Sequence, residues 1–220
     1  MISKGIKFND IHSYDDLNLI LSKAEISPAP PKENFINIPG GDGSLDQTES
    51  LGEVKYGDRS GAFTFTMNPA DDLSDSAFEE KKTEVSNALN GLACKITLDK
   101  DTDFYYEGRC KVSEYLSDRR LRQIVVTAIL KPYKLKQNET VATFALTSGE
   151  QTVTLTNGRK SVVPEITCSD DNVVVQFKND MYTLSAGTHK ILDIRFTERM
   201  NILKLSGTGT ITFTYQEAEL

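Results

Sequence analysis

The chain offers two histidines to any chemistry that needs an imidazole base, His12 and His189. His12 is followed by Ser13 in what reads as a turn, and His189 sits between Thr188 and Lys190 close to a glycine. A nucleophilic triad needs a base, an orienting acid and a nucleophile held in one place. No G-x-S-x-G elbow occurs, so both histidines read as surface residues and no catalytic residue is assigned. The three cysteines, Cys94, Cys110 and Cys168, read as small buried apolar residues rather than nucleophiles. No C-x-x-C or H-x-x-x-H spacing is present, which argues against zinc.

Carboxylates come next. Asp99-x-Asp101-x-Asp103 has the opening of a calcium loop, in which several oxygens from one tight turn hold a hard cation. Phe104 stands where that loop needs glycine and Cys110 where it needs a bidentate Glu, so the segment reads as a polar hairpin tip. Asp71-Asp72 and Asp170-Asp171 are adjacent in sequence, which says nothing of the cross-cleft pair of a glycoside hydrolase. They read as turn residues and as the approach to a helix. The glycines at Gly40, Gly41 and Gly43 are not followed by the Lys and hydroxyl residue of a phosphate-gripping loop. No metal site, cofactor site or enzymatic activity is expected. Sugar binding could use Tyr182, Tyr215 and Phe196 as an aromatic platform, but alternation places them as core or edge residues, and the chain has no Trp.

The net charge of −7 is spread along the chain. Proteins that grip nucleic acid gather Lys and Arg against phosphates. The one basic cluster, Arg119-Arg120-Leu121-Arg122, reads as a solvated turn between strands, so no sequence-specific nucleic-acid partner is expected. At 220 residues the chain fits two small domains or one large one, and at 38% hydrophobic it can bury a sizeable core. No apolar run is long enough to span a membrane. Residues 1–5 lack the apolar stretch of a signal peptide, and Ile2 occupies the place of a myristoylated glycine. An odd set of cysteines without a secretory signal suggests free thiols made in a reducing cytosol. The sequon at Asn138 is then idle.

The elements that would position these residues are nearly all strands. Residues 1–23 read as short strands around a turn, with Leu17, Leu19 and Leu21 on one face. Pro28-Ala29-Pro30-Pro31 is an extended connector. Residues 35–38 form a brief strand, and 40–52 an exposed loop. Phe63, Phe65 and Met67 alternate with Thr64 and Thr66 in a half-buried strand. One helix is expected over 75–90, capped by Ser76 with Glu79 or by Ser74, burying Phe78, Val85 and Leu89 and ending at Asn90-Gly91. A hairpin follows in which pairing of Lys100 with Phe104 sets Cys94 opposite Cys110. Residues 124–130 are apolar on both faces and suit a strand covered on both sides. The domain boundary is placed in the polar, proline-containing stretch 131–139. Beyond it, strands are expected at 141–146, 153–156, 162–168, 173–177, 181–184, 191–196, 202–205 and 211–215. Hairpin turns are expected at Asn157-Gly158 and Asn179-Asp180. The fold class is all-β with one helix, in two β-sandwich domains, the second of jelly-roll type.

Several segments taken in order carry a resemblance. They are Gly5 to Ser13 running into Asp16 to Leu21, the loop from Pro39 to Asp46, and Tyr56 to Phe65. Asn87 to Gly91, Tyr105 to Arg109 and Lys131-Pro132-Tyr133 complete the set. In this order the segments make positions 1–135 resemble the N-terminal domain of the distal tail proteins of long-tailed (siphovirus-type) bacteriophages or related prophages. The resemblance implies a ring-forming tail-hub domain at 1–135 and an appended galectin-like or carbohydrate-module-like sandwich at 138–220. It implies a structural component of the tail tip or baseplate hub: a homo-oligomeric ring, typically a hexamer, with one face on the tail tube protein and the other on a tail-tip protein. The appended domain would face a receptor-binding protein or a cell-surface glycan, although it has no long arm-like insertion. The chain would be made in the bacterial host cytoplasm and end in the virion tail tip. The rival reading is a carbohydrate-binding protein acting through the C-terminal sandwich.

Overall fold

The computed structural model describes residues 5–50, 52–118, 121–147 and 149–220. The reading of residues 1–4 as neither signal peptide nor lipid anchor, and the Arg119-Arg120 half of the basic cluster, lie outside the described residues. The chain divides after Lys134 into two compact units.

The first unit runs β1 (Ile6–Phe8), β2 (Ile11–His12), β3 (Leu19–Ile26), β4 (Phe35–Asn37), β5 (Ser44–Asp46), β6 (Arg59–Met67), α1 (Asp75–Leu89), β7 (Ala93–Leu98), β8 (Asp101–Asp118) and β9 (Leu121–Leu130). Apart from β4 and β5, its strands are hydrogen-bonded in the order β2-β1-β7-β8-β9-β6-β3. This sheet curls until distant strands face each other. Phe8 on β1 stands edge-on to Phe63 and Phe65 on β6, with ring centroids 6.1 Å apart and three strands between them in the sheet. The curl builds a closed core that includes Leu19, Ile96, Ile124 and Val126. Helix α1 adds Phe78, Val85 and Leu89 to the same core. Its N-cap is Ser74, whose hydroxyl accepts from the Ala77 N–H at 3.3 Å, satisfying one of the free amides at the helix start. At its end Gly91 takes φ +80°, the left-handed conformation that glycine adopts without strain.

Three expectations are corrected here. The stretch 40–52 is not all loop, because Ser44–Asp46 pairs with Phe35–Asn37 as a hairpin. The β7–β8 turn has two residues, Asp99-Lys100, and a bulge beyond Ile96 shifts the register, so Cys94 lies opposite Gly108 and not Cys110. Strand β9 is covered on one face only: Ile124, Val126, Ala128 and Leu130 are buried, while Ile129 is 67% exposed.

Strand β10 (Lys134–Lys136) straddles the division, and the second unit continues with β11 (Thr140–Leu146), β12 (Gln151–Asn157), β13 (Glu165–Cys168), β14 (Val173–Phe177), β15 (Asp180–Leu184), β16 (Gly187–His189), β17 (Arg199–Ser206), β18 (Gly209–Tyr215) and β19 (Ala218–Glu219). Two four-stranded antiparallel sheets, β11-β18-β13-β16 and β12-β17-β14-β15, form a β-sandwich, and β10 pairs with β19. The sheets share one core, with Ile166, Ile211 and Phe213 from the first meeting Val175, Leu203 and Leu205 from the second. The Tyr215 hydroxyl spans the layers by donating to the Thr156 carbonyl at 2.6 Å.

Residues 191–196 do not form the expected strand; only an isolated bridge joins Phe196 to Val162. Asparagine side chains take up the neighbouring backbone groups instead. Asn201 accepts from the Thr197 N–H at 2.9 Å and donates to the carbonyls of Thr197 at 2.9 Å and Arg199 at 3.1 Å. Asn157 donates to the Lys160 carbonyl at 2.9 Å, so Asn157-Gly158 is a braced crossing between sheets and not a hairpin turn. The β14–β15 hairpin turns at Lys178-Asn179, with Lys178 at φ +56°.

Candidate functional site

The residues that the sequence singles out for chemistry do not converge. His12 lies between two aspartates: Nδ1 is 3.1 Å from the Asp15 N–H and 3.0 Å from Asp15 Oδ2, and Nε2 is 3.1 Å from Asp99 Oδ1. Ser13 does not join them, because its hydroxyl accepts from the Ile6 N–H at 3.0 Å. His12 and Asp99 thus fasten the start of the chain to the β7–β8 turn, where the Gly5 N–H also donates to Asp99 at 2.8 Å. His189 lies within hydrogen-bond distance of the Ser185 carbonyl, at 2.8 Å, inside its own turn.

The aspartates disperse in the same way. Asp101 pairs with Lys134 at 2.9 Å, away from the partners of Asp99. Asp71 accepts from Asn18. Asp72 accepts from the Ser74 N–H and hydroxyl at 2.8 Å, and those two bonds hold its carboxyl below the usual range. Asp171 accepts from the Ala186 N–H at 2.8 Å. Among the described residues no three His, Cys, Asp or Glu side chains gather as metal ligands. Phe196 and Tyr215 are buried in the core of the second unit, so they cannot form a sugar-stacking platform with Tyr182. Arg122, the described arginine of the basic cluster, pairs with Asp75 at 2.5 Å.

One feature of the first unit has no counterpart in a self-sufficient fold. Strands β4 and β5 form a separate two-stranded ribbon in which every residue is exposed. A lone hairpin without a covered face is marginal in water. This one displays Phe35 (55% exposed), Ile36 (42%), Ile38 (52%) and Leu45 (47%) to solvent. Its root, by contrast, is held firmly. The Lys32 N–H donates to the Lys55 carbonyl at 2.7 Å, the Gly57 N–H to the Pro30 carbonyl at 2.8 Å, and Pro31 bridges to Tyr56. The proline run therefore does more than connect: it forms one side of a rigid stem that continues the β3–β6 pairing and carries the ribbon outward. The sequence marks this segment as loop because Pro39, Gly40, Gly41 and Gly43 dominate its tip, with Gly40 and Gly43 at φ +78° and +77°. The signal that could have found it is the apolar set Phe35, Ile36, Ile38 and Leu45 on either side of that tip.

Two surface depressions of the first unit flank the β7–β8 strands. One, of about 460 Å³, is bordered by Asn9, Cys94, Lys95, Glu107 and Lys131. The other, of about 630 Å³, lies over β6, β9 and β8. Cys94 and Cys110 stand between them, with Sγ atoms 3.2 Å apart. The hydrogen bond with Cys94 and burial both push the Cys110 thiol up, so it stays protonated and is a poor nucleophile.

The chain matches no protein-family model, and no curated protein is similar to it in sequence. In fold it is similar to the crystal structure of SPP1 Dit, described as a paradigm of the hub adsorption apparatus in phages that infect Gram-positive bacteria. The superposition has a TM-score of 0.66 at 13% identity and covers 96% of this chain and 98% of that one. The fold over nearly the whole chain is therefore like that of SPP1 Dit, in line with the resemblance that the sequence carries over positions 1–135.

Proposed function

We propose that this chain is a structural component of a phage tail tip, assembling into a ring that joins the tail tube to the host-adsorption apparatus. The observation that carries the reading is the likeness in fold to a hub adsorption protein along nearly the whole length of both chains. The first unit supplies the ring contacts, and the second engages a tail-tip, receptor-binding or cell-surface partner. Six copies is the number that the family resemblance implies. The acidic balance of the chain suits a conduit for DNA, since a net charge of −7 repels phosphates where clustered cations would arrest them. The role asked of the protein is architectural and requires no enzymatic activity.

Removing residues 138–220 tests the assignment of the ring to the first unit. The truncated chain is expected to keep the ring mass in light scattering. A monomer, where the full chain forms a ring, overturns the assignment. The alternative, carbohydrate binding by the second sandwich, is not favoured, because two of its three candidate aromatics are buried. A glycan array on the full chain separates the two readings.

A further inference from the structure

We infer that Arg59, independently of the ring reading above, is a recognition point for a carboxylate that the described residues of this chain do not supply. Alternation along β6 turns Arg59 to the same side as Phe63, Phe65 and Met67, and the residue is 7% exposed. Its partner across the sheet is Leu130, which in turn lies opposite Gly108. This is a place for an apolar side chain. A cation buried there costs free energy unless an anion or good hydrogen bonds offset it.

Two contacts fix the guanidinium. Nε donates to the Pro132 carbonyl at 2.7 Å, and Cζ stands 5.5 Å from the centre of the Tyr106 ring. Together they set its plane and leave the edge that carries Nη1 and Nη2. Among the described residues those two nitrogens have no hydrogen-bond or ion-pair partner. Two acids of β8 are already taken: Glu107 pairs with Lys131 at 2.5 Å and Asp101 with Lys134 at 2.9 Å. Asp58, next to Arg59 in the chain, is exposed. Nor is the open edge sealed. Asn157 Oδ1 is the one fully buried side-chain nitrogen or oxygen without a partner among the described residues, so Nη1 and Nη2 reach the surface. A buried stem, a fixed plane and an open edge of two N–H-bearing nitrogens suit the two oxygens of a carboxylate, which accept parallel bonds. The apolar surroundings of the Tyr106 ring and of the Tyr56–Tyr133 pair beside Pro132, with those two rings 5.9 Å apart, strengthen such bonds. The acid is a side chain of another polypeptide or a free carboxylic acid, and the chemistry of recognition is the same for both.

The full chain, labelled so that the Arg59 Nε–H is resolved by nuclear magnetic resonance, is titrated with sodium acetate and, at equal ionic strength, with sodium chloride. Acetate is expected to give a saturable shift of that resonance and a rise in melting temperature beyond that in chloride. Arg59→Met is expected to lose the extra rise. Arg59→Lys keeps the charge without the planar fork and is expected to need about tenfold more acetate for it. Light scattering separates the sources. An acid from a second copy makes Arg59→Met lighter than the unaltered chain, with mass partly recovered in Arg59→Lys. A free acid, or one from a different protein, leaves the mass unchanged. Because the resonance is read in the unaltered chain, a variant that fails to fold leaves the test intact. Absence of an acetate-specific shift, with no loss of mass that Arg59→Lys restores, overturns the site, as does an extra rise that Arg59→Met retains.

Discussion

Cys94 and Cys110 bring their sulfurs to 3.2 Å although their backbones are not opposite each other: the residue across from Cys94 is Gly108. The thiols are diagonal neighbours on one face of the sheet, and the missing side chain at Gly108 helps them meet. Diagonal Cα atoms in a sheet are about 7–8 Å apart, beyond the usual reach of a disulfide. Both are expected to stay thiols. In the native protein a thiol reagent should react slowly, since all three cysteines are buried, and unfolding should release all three. Loss of two titratable thiols from protein purified without reductant contradicts this.

Gly108 is a position where glycine is required by space. A Cβ there would lie 2.3 Å from the Ile129 carbonyl oxygen and 2.7 Å from Leu130 Cδ2. The first of these contacts is with backbone, which cannot swing aside. Gly108→Ala should destabilise the first unit by about 1–3 kcal/mol, seen as a lower melting temperature. Gly149→Ala, with no atom within 4 Å of its Cβ, is the control and should leave melting unchanged. Equal effects of the two substitutions contradict the register of β8 against β9.

The second unit should lose stability at both extremes of pH. Burial, aided by the charge of Glu217, pushes the Tyr215 phenol up to about 12. Its ordinary value is about 10, so the folded state favours the neutral phenol. The resulting contribution, roughly 3 kcal/mol, is complete below about pH 10 and is lost as pH rises through about 12. Tyr215→Phe should flatten that alkaline loss at the cost of the hydrogen bond to Thr156. Glu217 behaves in the opposite sense. Burial raises it, but the bonds from Lys136 and Thr140 outweigh burial and hold it below its ordinary value. Its contribution is present at neutral pH and lost as pH falls through its folded pKa, which lies below the ordinary carboxylate value. Lys136→Met should remove much of that acid dependence. Denaturant titrations at several pH values measure both effects.

The sequence was legible where side-chain period decides the structure. Phe63, Phe65 and Met67 alternate into the core, and Phe78, Val85 and Leu89 bury one stripe of the helix, because those faces are sorted by water. It was less legible where a polar side chain replaces a backbone partner. Residues 191–196 have the apolar content of a strand, yet Asn157 and Asn201 hold the backbone around them in another path. Register also escaped: the bulge beyond Ile96 moves the partner of Cys94 from Cys110 to Gly108, and no pattern of period two records it. The ribbon was hidden for a third reason. Its turn residues read as loop, and its apolar residues face solvent, so neither signal spells a strand. His12, Asp99, Asp71, Asp72 and Asp171 are taken up in hydrogen bonds that hold the fold: His12 and Asp99 tie residues 5–12 to the β7–β8 turn, Asp71 accepts from Asn18, Asp72 braces the helix start and Asp171 accepts from the Ala186 N–H.

The most direct measurement is the mass of the full chain in solution at micromolar concentration, with particles imaged by negative stain. The account predicts a discrete species at a whole-number multiple of 24.4 kDa, seen end-on as a ring with an open centre. A stable monomer across that range, with no annular particles, contradicts it.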